Sequence, residues 1–340
     1  MTLRLDPALP LVWRTAEDLQ VGAATPVAVF ERAGDVEAGL IAALRHGVSR
    51  STLVSIGSGL GATPERVHEF VRRLAAGLVD ASPNPTSGAQ DAASVRAARP
   101  ARPERADAAA ARPRIVGLDG SGPIADLLAA NLAFLGHEVL PLAPRTLDVR
   151  APDPARAEPD LVVIVAAWAV TPARHLPWLR RDLPHLAVVS DDAGIRVGPF
   201  VEPGRGPCLR CLDLSARDAD AAWPVIAAQL AGRPAPADPP RLRFDAAALA
   251  AAAVDARLGA APHDAELDGG LAERTGADTV RLAAASVSFD RRGSVGRRRE
   301  HAEHPSCGCR APAGIAIAHA LPVAARRAAP SSATAAAVPA

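Results

Sequence analysis

Residues 114–142 constrain the fold more than any other part of the chain. They contain a short apolar run, a turn with Gly120, Gly122 and Ala125, a helical pattern and a second apolar run. A buried strand followed by a glycine turn, a helix and another strand is the opening of a dinucleotide-binding type of fold. The sequence therefore predicts that a Rossmann-like domain begins here.

The segments that follow continue this alternation of strands and helices. Residues 160–165 and 185–189 are apolar runs of strand length, and residues 172–183 form a helical pattern between them. Parallel strands joined by helices form a sheet that is covered on both faces. The fold class predicted for residues 114–310 is therefore α/β, with a Rossmann-like and mostly parallel sheet.

The glycine turn is also a candidate binding site. Gly120, Gly122 and Ala125 match the G-x-G-x-x-G/A pattern, in which the backbone approaches a pyrophosphate at the N-terminus of a helix. Asp119 precedes the turn, where its carboxylate would repel phosphate, and residues 140–144 lack the ribose-binding acid expected there. The alternative is that the glycines only allow tight packing of strand against helix. Nucleotide binding by Gly120, Gly122 and Ala125 and simple packing both remain open.

The four cysteines form two close pairs, Cys208 with Cys211 and Cys307 with Cys309. Four thiolates in two short loops suit a closed tetrahedral site of the structural zinc type. A thiol–disulfide redox centre is the alternative, but it would leave one pair unexplained. We therefore predict that Cys208, Cys211, Cys307 and Cys309 bind a zinc ion that holds the C-terminal strands on the sheet. His304 could replace one of these ligands, but we expect it to lie beside them or on the surface.

The N-terminal unit, residues 1–81, has a different pattern. Short apolar runs at residues 11–13, 19–21 and 27–30 predict strands, and three helices follow, the last with Thr63 as its N-cap. Helices with flanking strands indicate a small winged-helix-like α+β domain, which could bind DNA, capture a peptide along a strand edge, or be purely structural. The last helix mixes both signs of charge, which disfavours DNA: Arg66, Arg72, Arg73, Glu65 and Glu69.

The amino-acid composition predicts which remaining segments are disordered and where in the cell the protein is expected. Residues 82–113 and 311–340 contain few large apolar side chains, so we expect a disordered linker and a disordered tail. Hydrophobic residues make up 49% of the chain and the formal net charge is +1, so no charge excess indicates nucleic acid or a membrane surface. No signal-like or spanning apolar segment is apparent, and a cytoplasmic protein is expected.

Several motifs together carry a family resemblance. Besides the Rossmann-like opening, they are residues 197–201 (VGPFV), 207–214 (PCLRCLDL), 223–224 (WP) and 304–309 (HPSCGC). The chain resembles the ThiF/MoeB/HesA (ubiquitin-activating-type) superfamily, and within it the actinobacterial ThiF-like proteins associated with azole-forming, cyclodehydratase-based peptide modification. The resemblance covers about residues 114–310, and the N-terminal unit is similar to the winged-helix leader-binding region of the same group.

This resemblance implies specific chemistry and partners. Active members bind ATP and magnesium and adenylate a C-terminal carboxylate, using an acid after the second strand, a lysine and an aspartate beyond the third. This chain has no lysine and neither acid, although Arg145 and Arg174 are candidate phosphate contacts. The resemblance thus implies a protein that binds a precursor or partner peptide and presents it to a cyclodehydratase-type enzyme, with a degenerate ATP site. It also implies a homodimer. The alternatives are an active ATP-dependent adenylyltransferase and a winged-helix DNA-binding regulator.

Other polar and aromatic residues have ordinary interpretations. His137, His175 and His185 are expected to be exposed or hydrogen-bonded rather than catalytic. Trp168 and Trp178 are predicted to pack in the interior. The pair of acids at residues 191–192 is expected to be a solvated turn rather than a cation site.

Overall fold

The computed structural model describes residues 2–80, 113–142, 158–259, 282–291 and 296–310. The predicted tail, and the predicted linker except Pro113, lie outside these residues. The strands are β1 (Thr2–Leu5), β2 (Leu11–Trp13), β3 (Leu19–Val21), β4 (Ala28–Phe30), β5 (Val48–Ser49), β6 (Leu78–Asp80), β7 (Ile115–Asp119), β8 (Glu138–Leu142), β9 (Leu161–Ala167), β10 (His185–Ser190), β11 (Gly194–Val201), β12 (Ala285–Asp290) and β13 (Arg297–Glu300). The helices are α1 (Asp35–His46), α2 (Arg50–Gly59), α3 (Pro64–Arg73), α4 (Pro123–Phe134), α5 (Pro172–Arg180), α6 (Leu209–Ala219), α7 (Trp223–Leu230) and α8 (Pro240–Gly259).

The N-terminal segment builds two small antiparallel sheets around its own apolar core. One has the order β5–β1–β6, and the other is the meander β2–β3–β4. The predicted last helix is confirmed as α3, with the Thr63 hydroxyl oxygen accepting from the Arg66 amide at 3.3 Å. Val67, Phe70 and Val71 form its buried face. The winged-helix interpretation of this unit stays a prediction.

A seven-stranded sheet dominates the rest of the described chain, with the order β13–β12–β11–β10–β9–β7–β8. The strands β8, β7, β9 and β10 pair in parallel, because helices or longer connections return the chain to the same edge. From β10 onward the pairings are antiparallel, through a short turn at residues 191–193 and a hairpin from β12 to β13. Five of the seven strands thus run in one direction, which confirms an α/β fold with a mostly parallel sheet.

Helices cover both faces of this sheet. On one face, α4 and α8 pack their apolar sides onto residues such as Val163, Val188 and Val197. On the other face, α5 and the start of α6 pack against Val162 and Ile164, and the cysteines lie in this second layer. The alternation along β9 explains both layers, since successive strand residues point to opposite faces.

Candidate functional site

The four cysteines converge from two distant parts of the chain. Cys208 is the N-cap of α6 and Cys211 lies in its first turn, whereas Cys307 and Cys309 lie in a tight turn after β13. All four Sγ atoms lie within 4.8 Å of one another. The Sγ–Sγ separations are 3.8 Å for Cys208–Cys211, 3.6 Å for Cys208–Cys307 and 3.7 Å for Cys211–Cys309. Tetrahedral zinc with zinc–sulfur bonds of ~2.3 Å requires sulfurs ~3.8 Å apart, so the geometry fits a metal ion.

The electrostatics of this cluster also favour a cation. Burial and the neighbouring sulfurs raise the pKa of Cys309 to about 12, and a hydrogen bond with Cys211 raises the pKa of Cys208. Thiols held this close cannot all ionise without a compensating positive charge. A bound divalent metal supplies that charge and deprotonates its thiol ligands. The structure thus brings together all four predicted ligands in an arrangement that can hold a metal ion.

His304 lies beside the sulfurs rather than among them. Its Nε2 contacts Asp218 Oδ2 at 2.8 Å, and its backbone oxygen accepts from the Cys307 amide at 2.9 Å. His304 therefore shapes the turn that presents Cys307 and ties it to α6. This is the supporting position expected from the sequence.

Of the three predicted residues of the glycine turn, Gly120 and Ala125 pack against neighbouring residues, and Gly122 faces open space. A Cβ on Gly120 would lie 2.6 Å from Val165 O, and the φ of Gly120 is +145°, so this glycine permits close contact between β7 and β9. Ala125 is 2% exposed and belongs to the core under α4. Gly122, the N-cap of α4, has open space around its Cα. Only Gly122 thus has the surroundings that an approaching anion needs.

An ion pair occupies the space next to this turn. Arg174 Nη2 lies 2.9 Å from Asp119 Oδ1, and Nε lies 3.1 Å from Oδ2. The same Nη2 donates to the backbone oxygens of Asp119 and Val165 at 2.7 and 2.9 Å. Asp119 is 4% exposed, and its charge is neutralised. Asp119 ends β7 and Arg174 lies in α5, 55 positions later. No pattern of neighbouring residues could therefore predict that the two side chains pair.

The N-terminal meander packs against the chain just beyond β9. Trp168 adopts a left-handed backbone conformation with φ of 64°, and its indole N–H donates to Pro234 O at 3.2 Å. Its ring belongs to a buried apolar cluster with Val12, Ile226 and Leu230. The prediction that Trp168 is a packing residue is confirmed. The end of β9 is therefore covered by apolar contacts with the N-terminal meander.

Polar contacts also join the N-terminal unit to the rest of the chain. Arg14 pairs with both carboxylate oxygens of Asp220 at 2.6 and 2.8 Å. Asp192 accepts from the backbone amides of Ala23 and Ala24 at 2.6 and 2.9 Å. The expectation of a merely solvated turn at residues 191–192 is wrong for Asp192, because its carboxylate is the partner of two amides that the meander brings to it.

Of the three histidines, His175 departs from the prediction of an exposed or hydrogen-bonded side chain. His137 contacts Asp255 at 3.0 Å, as expected for a hydrogen-bonded residue. His175 is fully buried, and neither ring nitrogen has a hydrogen-bond partner among the described residues. His185 is also buried, and only its Nδ1 has a partner there, Leu183 O at 3.0 Å. Burial, the nearby His185 and Arg210 lower the pKa of His175 to about 3, so it is neutral at pH 7.

A groove of about 470 Å³ opens between β6, α3 and the start of α2. Its apolar lining includes Val71, Leu78 and Val79, and Val79 is 41% exposed. Arg50, Arg72 and the acidic Asp80 also line it, and Arg72 pairs with Glu69. β6 is an edge strand among the described residues, paired only with β1. The groove therefore offers apolar lining residues and a strand edge together.

No family model and no curated protein sequence matches the chain. Among solved structures, a heterocyclase in complex with substrate and cofactor aligns over 89% of this chain and 38% of its own, with 15% identity and a TM-score of 0.42. The heterocyclase TruD aligns over 90% of this chain and 42% of its own, with 18% identity and a TM-score of 0.41. The microcin C7 biosynthetic enzyme MccB in complex with N-formylated MccA aligns over 91% and 100%, with 12% identity and a TM-score of 0.38.

The chain thus spans about two fifths of the length of the two heterocyclases. At TM-scores of this size, the likeness carries no argument about function, which must come from the residues of this chain. Within the described segments, every helix is too short or too polar to cross a membrane.

Proposed function

We propose that this chain binds an extended segment of a precursor or partner peptide and presents it to a separate modifying enzyme of the cyclodehydratase type. A winged-helix-like unit at residues 1–81 captures the peptide, and a ThiF-like domain at residues 114–310, stapled by zinc, supports it. The observation that carries the proposal is the groove between β6 and α3.

The groove matches the chemistry of an extended peptide. A strand added along β6 would place its side chains alternately on the two faces of the sheet, so one set would lie on the face of Leu78 and the other on the face of Val79. Strand addition gives affinity through the main chain and specificity through pockets, which suits recognition of a peptide segment.

The zinc site fits a supporting role. Its four ligands are all protein thiolates, so the coordination shell is closed and leaves no position for water or substrate. Cys208 and Cys211 belong to α6, and Cys307 and Cys309 follow the last strand, so the metal joins the end of the sheet to the helical layer. Such a site supplies folding free energy to the domain.

The surroundings of the glycine turn support the absence of adenylation. Adenylyl and phosphoryl transfer depend on cationic groups and a metal-binding carboxylate held at the phosphates. Here Arg174 is committed to Asp119, Trp168 is packed beneath the N-terminal meander, and the chain has no lysine. The charges that would stabilise the transition state are therefore used elsewhere or lacking.

The experiment is a binding titration with synthetic peptides for the short reading frames that neighbour the gene, each labelled with fluorescein and followed by anisotropy. We expect one of them to bind, and Val79→Asp to weaken its binding about tenfold, because a carboxylate replaces an apolar contact beside the strand. Val225→Asp is the matched control, since Val225 is also exposed, at 50%, but lies on α7. The absence of a binding peptide, or equal losses in both variants, would contradict the proposal.

The second candidate is an active adenylyltransferase, favoured by the open helix N-terminus at Gly122. ATP–pyrophosphate exchange, measured with the same peptides, distinguishes this function from peptide presentation. We expect no peptide-dependent exchange. Robust exchange that is lost in Gly122→Val would establish the adenylyltransferase instead.

A further inference from the structure

A buried guanidinium nitrogen without a hydrogen-bond partner lies in the antiparallel half of the seven-stranded sheet. Arg196 belongs to β11, where it pairs with Val189 of β10 on one side and Ser288 of β12 on the other. Val189 packs in the layer that holds the cysteines, so the Arg196 side chain lies on that face of the sheet. Its Nε is buried and has no hydrogen-bond partner among the described residues.

Two acids lie near Arg196 but do not pair with it. Burial lowers the pKa of the Arg196 guanidinium, whereas the negative charges of Asp191 and Asp213 raise it. Neither carboxylate forms an ion pair with Arg196 in the part of the chain that the structure describes. Asp191 instead accepts from the backbone amides of Ala193 and Gly194 at 2.9 and 3.0 Å. Because burying a cation without a bonded partner is costly, an additional anionic partner would stabilise this group.

A second arginine approaches this position from β13. Arg299 pairs with Ser286, which lies two positions before Ser288 on β12, so Arg299 shares the face of Arg196. With strands ~4.8 Å apart and a rise of ~3.4 Å per residue, the Cα atoms of the two arginines lie roughly 12 Å apart, a span that two long side chains bridge. The positive charge of Arg299 lowers the pKa of Arg196, which agrees with this proximity. Arg299 is exposed, so the site is open to solvent from the side of β13.

The sheet surface beside the two arginines is polar and uncharged. Ser286 Oγ lies 2.8 Å from His301 Nε2, and Ser288 adds a second hydroxyl group on the same face. Burial, together with the positive charges of Arg196 and Arg299, lowers the pKa of His301 to about 4, so this side chain is neutral at pH 7. The face therefore combines two guanidinium groups with neutral hydroxyl groups, which suits a planar or tetrahedral oxyanion.

We propose that Arg196 and Arg299 bind the carboxylate group of a ligand on this face of the sheet. A guanidinium donates two parallel N–H bonds to a carboxylate, so the ligand gives Arg196 a bonded counter-charge. The nearby Asp191 and Asp213 disfavour a phosphate dianion, because repulsion grows with each added negative charge. Small organic acids and peptide C-termini both carry this group. The site lies apart from the glycine turn and from the groove at β6, so it does not depend on the proposed function.

The competing explanation is that ordered water bridges Arg196 to Asp191 and Asp213, so that these acids neutralise it without a ligand. That explanation predicts no response to added carboxylate beyond the effect of ionic strength. A carboxylate that binds the folded state instead stabilises it as the ligand concentration rises. The response of the full chain to acetate therefore separates the two explanations.

The experiment follows thermal unfolding of the full chain in sodium acetate at up to about 50 mM, against sodium chloride at the same ionic strength. We expect acetate to raise the Tm at least about 3 °C more than chloride does. Arg196→Gln and Arg299→Gln should each abolish this difference, and Arg299 is exposed, so its variant should fold. Arg45→Gln is the matched control, since it makes the same change of charge at an exposed position on α1 and should respond as wild type.

N-acetyl-dialanine and its C-terminal amide identify the source of the carboxylate. A larger Tm shift with the acid than with acetate assigns the site to a peptide C-terminus, an equal or smaller shift assigns it to a small organic acid, and the amide should have no effect. Equal shifts in acetate and chloride, an acetate effect that persists in either arginine variant, or a larger shift with inorganic phosphate would overturn the proposal. Because Val79 is unchanged in all of these proteins, the result is independent of the peptide groove.

Discussion

The pair between Arg174 and Asp119 provides the sharpest test of how the glycine turn is built. Arg174 donates to both carboxylate oxygens and to two backbone oxygens, and the carboxylate is nearly fully buried. Arg174→Met keeps the length of the aliphatic chain but leaves the Asp119 charge without a partner. Breaking a buried pair in this way costs ~3–5 kcal/mol. Because the Arg174 side chain is 21% exposed, we expect a loss at the lower end, about 3 kcal/mol.

Equilibrium unfolding in urea, followed by tryptophan fluorescence, measures this loss. The double variant Asp119→Val/Arg174→Met removes both charges and should recover most of the loss, because an apolar pair replaces a buried ionic pair at little net cost. The coupling free energy from the double-mutant cycle should therefore be at least about 2 kcal/mol. Arg181→Met is the control: Arg181 lies just after α5 and pairs with the exposed Glu158, so its loss should stay below about 1 kcal/mol.

The same assay tests whether Arg174 serves a nucleotide. A ligand that binds only the folded state raises the free energy of unfolding. We expect ATP with magnesium to leave the stability of the wild type unchanged, since Arg174 is already bound to Asp119. A loss below 1 kcal/mol for Arg174→Met, additive effects in the double variant, or stabilisation by ATP that Arg174→Met abolishes would refute this reasoning.

Two further predictions concern the metal and a buried histidine. The purified chain should contain about one zinc ion per molecule, and Cys211→Ser should lose the metal and destabilise the protein, as measured by elemental analysis and thermal unfolding; a metal-free wild type with unchanged stability would contradict this. Because burial lowers the folded pKa of His175 to about 3, the unfolded state binds more protons between about pH 6.5 and 3, and stability is lost as the pH falls through this window. His175→Leu should therefore reduce the slope of stability against pH by up to about 1.4 kcal/mol per pH unit, and equal slopes would disprove it.

Local patterns in the sequence were sufficient for most helices and strands. Thr63 caps α3 and its apolar residues repeat with the helical period, and this signal depends only on neighbours within two turns. The apolar runs before and after the glycine turn likewise became β7 and β8. The antiparallel half of the sheet was harder to predict, because β13 has only four residues and none of them is apolar.

The metal-binding potential of the cysteines could be predicted from the sequence, but their arrangement in space could not. Their grouping into two close pairs already indicated one shared site, because a closed thiolate shell needs four ligands. Their arrangement at 3.6–3.8 Å depends on where α6 and the turn after β13 meet, which only the tertiary structure decides.

The sequence by itself thus determined the α/β class, the capped helix and the set of candidate metal ligands, since each follows from residues close together or from the grouping of one residue type. The tertiary structure alone decided that Arg174 pairs with Asp119, that the N-terminal meander covers Trp168, and that His175 is buried without a hydrogen-bond partner among the described residues. These contacts join residues far apart in the chain, and they depend on strand order and on packing between layers. Neither is encoded in the period or composition of a single segment.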